Sequence, residues 1–281
     1  TTLFRSVHIV HAVGDIHTYK FYSFDYYDAV FCSGPGQAES LRRLEELRGT
    51  SHKDLPLLGC PYLDVYAARA EQVGVPEPRT ILVAPTWGRN GLLTRTGSLV
   101  PKLLASAGYH VILRPHPQSF ISDREVMERV AADLQTCKNV EWDRNPDGFS
   151  SLSRASLMVS DVSGVIFDFA FVFLRPVISV GNGPLKEGFE AWEIPHEAWE
   201  MKALDQIGRR VPAGNESGIP AVVEEMLGDL TTQTEVIRRV RDENVVNFGH
   251  AGGPIADALV VAAQAHSVQL QSSLPSSVEA A

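Results

Sequence analysis

Short apolar runs alternate with stretches in which apolar residues recur every three or four positions, and the alternation repeats along most of the chain. The first pattern fits buried strands and the second amphipathic helices, and their regular succession is the signature of parallel βα units. Strands are expected at 6–13 (SVHIVHAV), at 27–34 (YDAVFCSG) and within 55–64 (LPLLGCPYLD), with helices at 36–49 and over VYAARAEQVG. The aromatic stretch HTYKFYSFDYY between the first two strands reads as a short helix or a packed loop. A second series places strands at 80–87, 109–116, 139–143, 156–161 and 175–181, and helices at 97–108, 122–135 and 163–173. Residues 182–217 show little periodicity and read as a long functional loop. Helices are expected again at 218–229, 231–245 and 253–266, before a tail too poor in apolar residues to fold.

VPEPR, at 75–79, divides the two series, because two prolines among charges stop a helix and favour extended backbone. The expected units are an N-terminal domain over 1–75, a second domain over 76–245, a helix over 246–267 able to cross back, and a disordered tail over 268–281. The second series has five strands, enough for a doubly wound domain. The first has about three and starts at Thr1 without a methionine, so an incomplete N-terminal domain is expected. Two such domains facing each other leave a cleft at the carboxyl ends of their strands, where ligands of this fold class bind.

Composition narrows the classes. A hydrophobic content of 44% and a charged content of 21% suit a soluble globular protein. The formal net charge of −9 argues against a nucleic-acid-binding surface, though not against a local cationic pocket. The three cysteines, Cys32, Cys60 and Cys137, have no metal-binding spacing and read as reduced thiols of a cytoplasmic protein. No run is long and apolar enough to span a bilayer, since Arg175 and Pro176 break the most apolar stretch.

Candidate chemistry gathers at strand ends. In VSDVSGVIFDFA a strand ends at Asp161 and a helix starts at Ser163 and Gly164, where unpaired N–H groups and the helix dipole favour an anion. The plainer reading is that Ser163 only caps its helix. Asp168, five residues on, can accept from a ligand hydroxyl or simply occupy a partly exposed position. In APTWG, Thr86 can donate to a phosphate and Trp87 can pack on a ring; a tight turn with a packed indole is the alternative. Arg114 and His116 flank Pro115 and leave one face of extended backbone, a pairing that suits a phosphoryl oxygen. A surface ion pair and a turn histidine are the bland counterpart. His11 lies near the carboxyl end of the first strand and can act as a general base or as a core histidine; His8 faces the other side.

Six stretches in order, HIVHAVGD, YDAVFCSG, LGCPYLD, VAPTWG, ILRPHP and VSDVSGVIFDFA, together resemble the CDP-glycerol:poly(glycerophosphate) glycerophosphotransferases of teichoic-acid and capsule synthesis. The resemblance implies a GT-B-like fold of two Rossmann-like, doubly wound α/β domains facing a cleft. It matches His11 to the family's catalytic histidine, Arg114 and His116 to its arginine–histidine pair, and Ser163 with Gly164 to the helix start that contacts the donor phosphates. Two positions depart from the pattern: His11-Ala12-Val13 stands where the family has His-Gly-Thr, and Ser163-Gly164 where it has Ser-Ser.

The expectation is a transferase using CDP-glycerol, with His11 and His116 catalytic, Arg114, Thr86, Ser163 and Gly164 on the donor phosphates, and Asp168 on a donor hydroxyl. The acceptor is expected to be a polyol-phosphate or a lipid-linked glycan, reached at the inner face of the membrane by peripheral contact. No cofactor and no obligatory metal are expected; a Mg²⁺ arriving with the donor stays open. A GT-B glycosyltransferase using a nucleotide sugar, or a non-catalytic nucleotide-binding relative, would carry the same donor-side residues.

Overall fold

The computed structural model describes residues 6–161, 163–183 and 186–273, with side chains up to residue 264. It contains two parallel sheets. In the smaller one β1 (Val7–Ile9) pairs with β2 (Ala29–Phe31), and bridges from Ala29 to Asp54 and from Cys32 to Leu57 lay a third, irregular segment alongside. Helices α1 (Pro35–Arg48) and α2 (Pro61–Ala70) follow, each with a proline in its first turn, where the missing N–H costs nothing.

The second unit runs β3 (Thr80–Val83), α3 (Leu92–Thr96), α4 (Leu99–Ser106), β4 (His110–Leu113), α5 (Ser119–Ser122), α6 (Arg124–Leu134), β5 (Val140–Trp142) and α7 (Phe149–Arg154). It continues through β6 (Leu157–Ser160), α8 (Val165–Phe173), β7 (Val177–Val180), α9 (Trp199–Ile207) and β8 (Gly208–Val211). Helices α10 (Ile219–Leu227), α11 (Leu230–Asn244) and α12 (Gly252–Ser273) end the described chain. The six strands lie in the order β5-β4-β3-β6-β7-β8, all parallel. The order reverses between β3 and β6, which makes their carboxyl ends the topological switch point.

Period-two alternation builds the two faces of this sheet. Leu82, Ile112 and Met158 point into one core with α8, α9 and α11, while Ile81, Val83, Val111, Leu113, Leu157 and Val159 point into the other with α4, α6 and α10. The first core also takes in Val13, Cys60, Leu63 and Tyr66, so it continues between the two sheets. On the far side of the small sheet, Ala251 and Ile255 at the start of α12 pack on Ala29 and Phe31. Asp64 holds that start by accepting from Ala251 N–H and Gly252 N–H at 3.0 and 2.7 Å.

Several expectations change. The first strand ends at Ile9, so His11 sits beyond it in a turn rather than in alternating register. Residues 182–217 are not one loop: they contain a short 3₁₀ turn at Glu190–Trp192, α9, the sixth strand and another 3₁₀ turn at Glu216–Gly218. Their weak periodicity reflects two-sided burial, with Ile194 packed beside Val10 and Ile16, and Leu204 and Ile207 in the core under the large sheet. Of the tail expected to be disordered, residues 268–273 continue α12, and 274–281 lie outside the described residues. Among the described residues no helix is long and apolar enough to cross a membrane.

Candidate functional site

A cavity of about 540 Å³ opens at the switch point. Thr86, Trp87, Gly88, Arg89 and Asn90 from the loop after β3, Asp161 after β6, and Gly181, Asn182 and Gly183 after β7 form its walls. Thr18 and Phe189, which belong to segments packed on the small sheet, close it from the other side.

Asp161 organises the floor. It is 3% exposed, and its two carboxylate oxygens accept from Thr86 N–H at 2.8 Å and Leu92 N–H at 2.6 Å. Burial pushes its carboxyl above the usual range, against the pull of these amides. Asp123 takes Gly88 N–H at 2.7 Å, so the loop from 84 to 92 is pinned at three points by two carboxylates. Pinned this way, the loop holds the Thr86 and Arg89 side chains on the cavity. Arg89 has no ion pair with any described residue, whereas Arg95 is tied to the carbonyls of Asn90 and Val180. Gly181 turns the chain at φ 136°, a value L side chains rarely adopt, with the Arg95 guanidinium 3.1 Å from where its Cβ would be.

His116 borders the loop, its ring 6.3 Å from that of Trp87. Its Nδ1 accepts from Gln118 N–H at 3.1 Å. In the neutral ring this leaves the proton on Nε2, a donor directed away from its own backbone. Burial lowers its basicity, which favours that neutral form.

Arg114, expected on the donor phosphates, pairs with Asp143 at 2.6 Å and donates to the carbonyls of Asn145 and Pro146. Burial pushes the Asp143 carboxyl up, but hydrogen bonds from Ser151 and Asn145 and the Arg114 charge outweigh it, so it lies below the usual range. A Cβ on Gly148 would lie 2.9 Å from this guanidinium, so the loop after β5 is built around it.

At the start of α8, Gly164 and not Ser163 is the N-cap, and no side chain caps the helix. The Ser163 hydroxyl has no hydrogen bond to a described residue, and nothing lies within 4 Å of where a Gly164 Cβ would stand. In the first turn of this nine-residue helix Ile166 N–H and Phe167 N–H bond the carbonyls of Ser163 and Gly164, and the space beside Gly164 is open, so a ligand can approach the positive end of the helix dipole. Asp168, half-buried on the same helix, has its carboxyl pushed up to about 7 by burial. Its charge is felt by the Cys60 thiol and the Tyr62 hydroxyl at the start of α2, across from α8.

On the small-sheet side His11 is exposed, with Nδ1 3.5 Å from the Tyr19 hydroxyl. His8 stays in β1 among the rings of Tyr19, Phe24 and Tyr27, and burial, followed by the His11 charge, lowers its basicity. His8 is thus half-buried among aromatic rings. Thr86 lines the cavity itself and His116 adjoins it through Trp87, whereas His11, Ser163, Gly164 and Asp168 are not among the residues that form its walls.

Sequence reasoning did not single out Asp161, Arg89, Gly181, Thr18 or Phe189. The Gly-Asn-Gly run after β7 was a usable signal, because glycines just past a buried strand often let a ligand approach. Thr18 and Phe189 gave none, since only tertiary folding brings them to the same wall.

No protein-family model matches the chain, and no curated protein matches it by sequence. Solved structures do. The wall teichoic acid polymerase TagF superposes with a TM-score of 0.58 at 16% identity, covering 95% of this chain and 69% of TagF. A TagF variant soaked with CDPG gives 0.53 at 18% identity, covering 87% of this chain and 57% of that one, so the chain spans less than two thirds of it. UDP-GlcNAc 2-epimerase from Neisseria meningitidis, bound to UDP-GlcNAc, gives 0.57 at 12% identity over 91% of this chain and 70% of the enzyme. At such identities the likeness is one of fold. The chain has the GT-B-like fold that its motifs implied, similar to that of TagF.

Proposed function

We propose that this chain is a transferase that binds a nucleotide-activated donor at the switch point, and that the donor is CDP-glycerol. The observation that carries this reading is the cavity at the carboxyl ends of β3, β6 and β7, walled by both units and supplied with Thr86 and Arg89 on a loop that Asp161 pins. The six ordered motifs and the likeness to TagF favour CDP-glycerol over other donors.

In this reading the donor's diphosphate lies between the open start of α8 and the His116 Nε2–H. The N–H groups at Ser163 and Gly164, the Thr86 hydroxyl and Arg89 spread the charge that develops on it. Asp168 accepts from a donor hydroxyl. The acceptor hydroxyl, on a polyol-phosphate or a lipid-linked glycan, attacks the phosphorus that carries glycerol. A new P–O bond forms, the bond to the bridging oxygen breaks, and CMP leaves with that oxygen. His11 takes the proton from the attacking hydroxyl. Arg114 acts indirectly, by bracing the loop after β5.

A nucleotide-sugar donor is the second reading, favoured by the nearly as high TM-score, 0.57, to an enzyme bound to UDP-GlcNAc. Incubation with CDP-glycerol and with UDP-GlcNAc, followed by analysis of released nucleotide, separates the two. CMP from CDP-glycerol alone supports the first, and UDP from the sugar nucleotide alone supports the second.

A further inference from the structure

The turn from His11 to Asp15 has no regular structure, yet its peptides are held one by one. Gln37 Nε2 donates to the carbonyls of Ala12 and Gly14 at 3.1 and 2.6 Å, and the Ser33 hydroxyl donates to that of Val13 at 3.3 Å. A trans peptide sets its N–H opposite its C=O. The Asp15 N–H, opposite the Gly14 carbonyl, therefore leaves the Gln37 side, and it meets Glu200 Oε1 on α9 at 2.8 Å. The fit is close, because a Cβ on Gly14 would stand 2.1 Å from that oxygen. Next to it, Trp199 N–H reaches the Asp15 carboxylate at 3.4 Å, and the Trp199 indole fills the space where Gly36 has no Cβ.

We infer that Glu200 is a positioning residue for His11: its carboxyl fixes the 12–15 turn on α9 and so sets where the imidazole stands against a donor in the cavity. The inference rests on the proposed role of His11. A second link runs through Tyr19, whose hydroxyl is 3.5 Å from His11 Nδ1 and whose basicity Glu200 affects. Helix α9 also closes the connection that begins at Gly181–Gly183 and passes Phe189, both on the cavity wall. One segment thus bounds the donor cavity and carries the residue that holds the base.

Burial first, then the Asp15 charge, push the Glu200 carboxyl up to about 8, with the Asp15 N–H pulling the other way. Asp15 on the turn and Tyr19 beyond it act on it directly, and Asp15 in turn meets His17 at 3.3 Å and reaches His196 through the Ser40 hydroxyl. The raised value favours the protonated carboxyl at neutral pH, so that ionisation places a second negative charge beside Asp15.

The test measures kcat and donor KM from about pH 6 to 9 for wild type, Glu200→Gln and Glu200→Ala, with the His11 ring followed by NMR in the same full chain. Glu200→Gln keeps an acceptor for Asp15 N–H, so kcat at neutral pH stays within about threefold of wild type. The inflection near pH 8 disappears from both its rate profile and its His11 resonance. Glu200→Ala lowers kcat about tenfold or more with donor KM little changed, and moves the His11 resonance. A folded Glu200→Ala protein with wild-type kcat and an unmoved His11 resonance overturns the inference. Should Glu200→Ala not fold, Glu200→Met, similar in volume but without an acceptor for the Asp15 N–H, decides instead, and wild-type kcat with an unmoved His11 resonance in it overturns the inference. If wild type turns over no donor, the functional reading fails separately, and movement or stillness of the His11 resonance still decides the role of Glu200.

Discussion

Asp161 bonds Thr86 through its backbone: Oδ1 accepts from Thr86 N–H at 2.8 Å, while Oδ2 takes Leu92 N–H at 2.6 Å. One buried carboxylate therefore joins the two strand ends at which the sheet order reverses, and it shapes the loop that lines the cavity. Replacing it by asparagine leaves one acceptor and turns an N–H₂ group toward a backbone donor. Asp161→Asn is expected to cost about 1–3 kcal/mol of stability and to weaken donor binding roughly tenfold. Thermal melting and calorimetric titration with CDP-glycerol check both.

Arg114 gives the opposite pattern. Its partner Asp143 is 4% exposed, so removing the guanidinium strands a buried carboxylate. Arg114→Ala is expected to lose about 3 kcal/mol or more, with the melting temperature falling before donor affinity does. A variant that melts like wild type but no longer binds donor would return Arg114 to the phosphates.

Asp168 supplies a pH dependence. Its folded pKa, about 7, lies above its ordinary value because of burial. Between the ordinary carboxylate range and about pH 7 the folded state thus holds a proton that the unfolded chain has lost, and stability declines as pH rises through that window. As an acceptor for a donor hydroxyl the ionised form is the stronger, so donor affinity is expected to rise through about pH 7. In Asp168→Asn both slopes flatten, which melting and titration across the same pH range can show.

The chain's own pattern made the large sheet readable, because Ile81, Leu82 and Val83 are all buried and bounded by Pro78 and Pro85. The sixth strand was hidden: Gly208–Val211 exposes Arg209 and Arg210 at the sheet edge, so no apolar run marks it. The strand-end motifs drew attention to Thr86, His116 and the Ser163 helix start because ligands of this fold class gather at strand ends, and of these Thr86 lines the cavity. The ion pair of Arg114 could not be foreseen, because sequence shows an arginine beside a histidine but not the carboxylate that folding brings to it. Glu200 could not be found at all. It lies 185 residues from the peptide it holds, and only the missing Cβ of Gly14, itself unremarkable in the sequence, makes room for it.

The central claim, a donor cleaved in the switch-point cavity with His11 as base, is tested most directly by nucleotide release from CDP-glycerol in the presence of a polyol-phosphate acceptor. The account predicts acceptor-dependent CMP from wild type, a loss of about 10²-fold or more in His11→Ala with donor affinity kept, and loss of donor affinity in His116→Ala. Absence of binding and of release with CDP-glycerol, or undiminished release in His11→Ala, would contradict it.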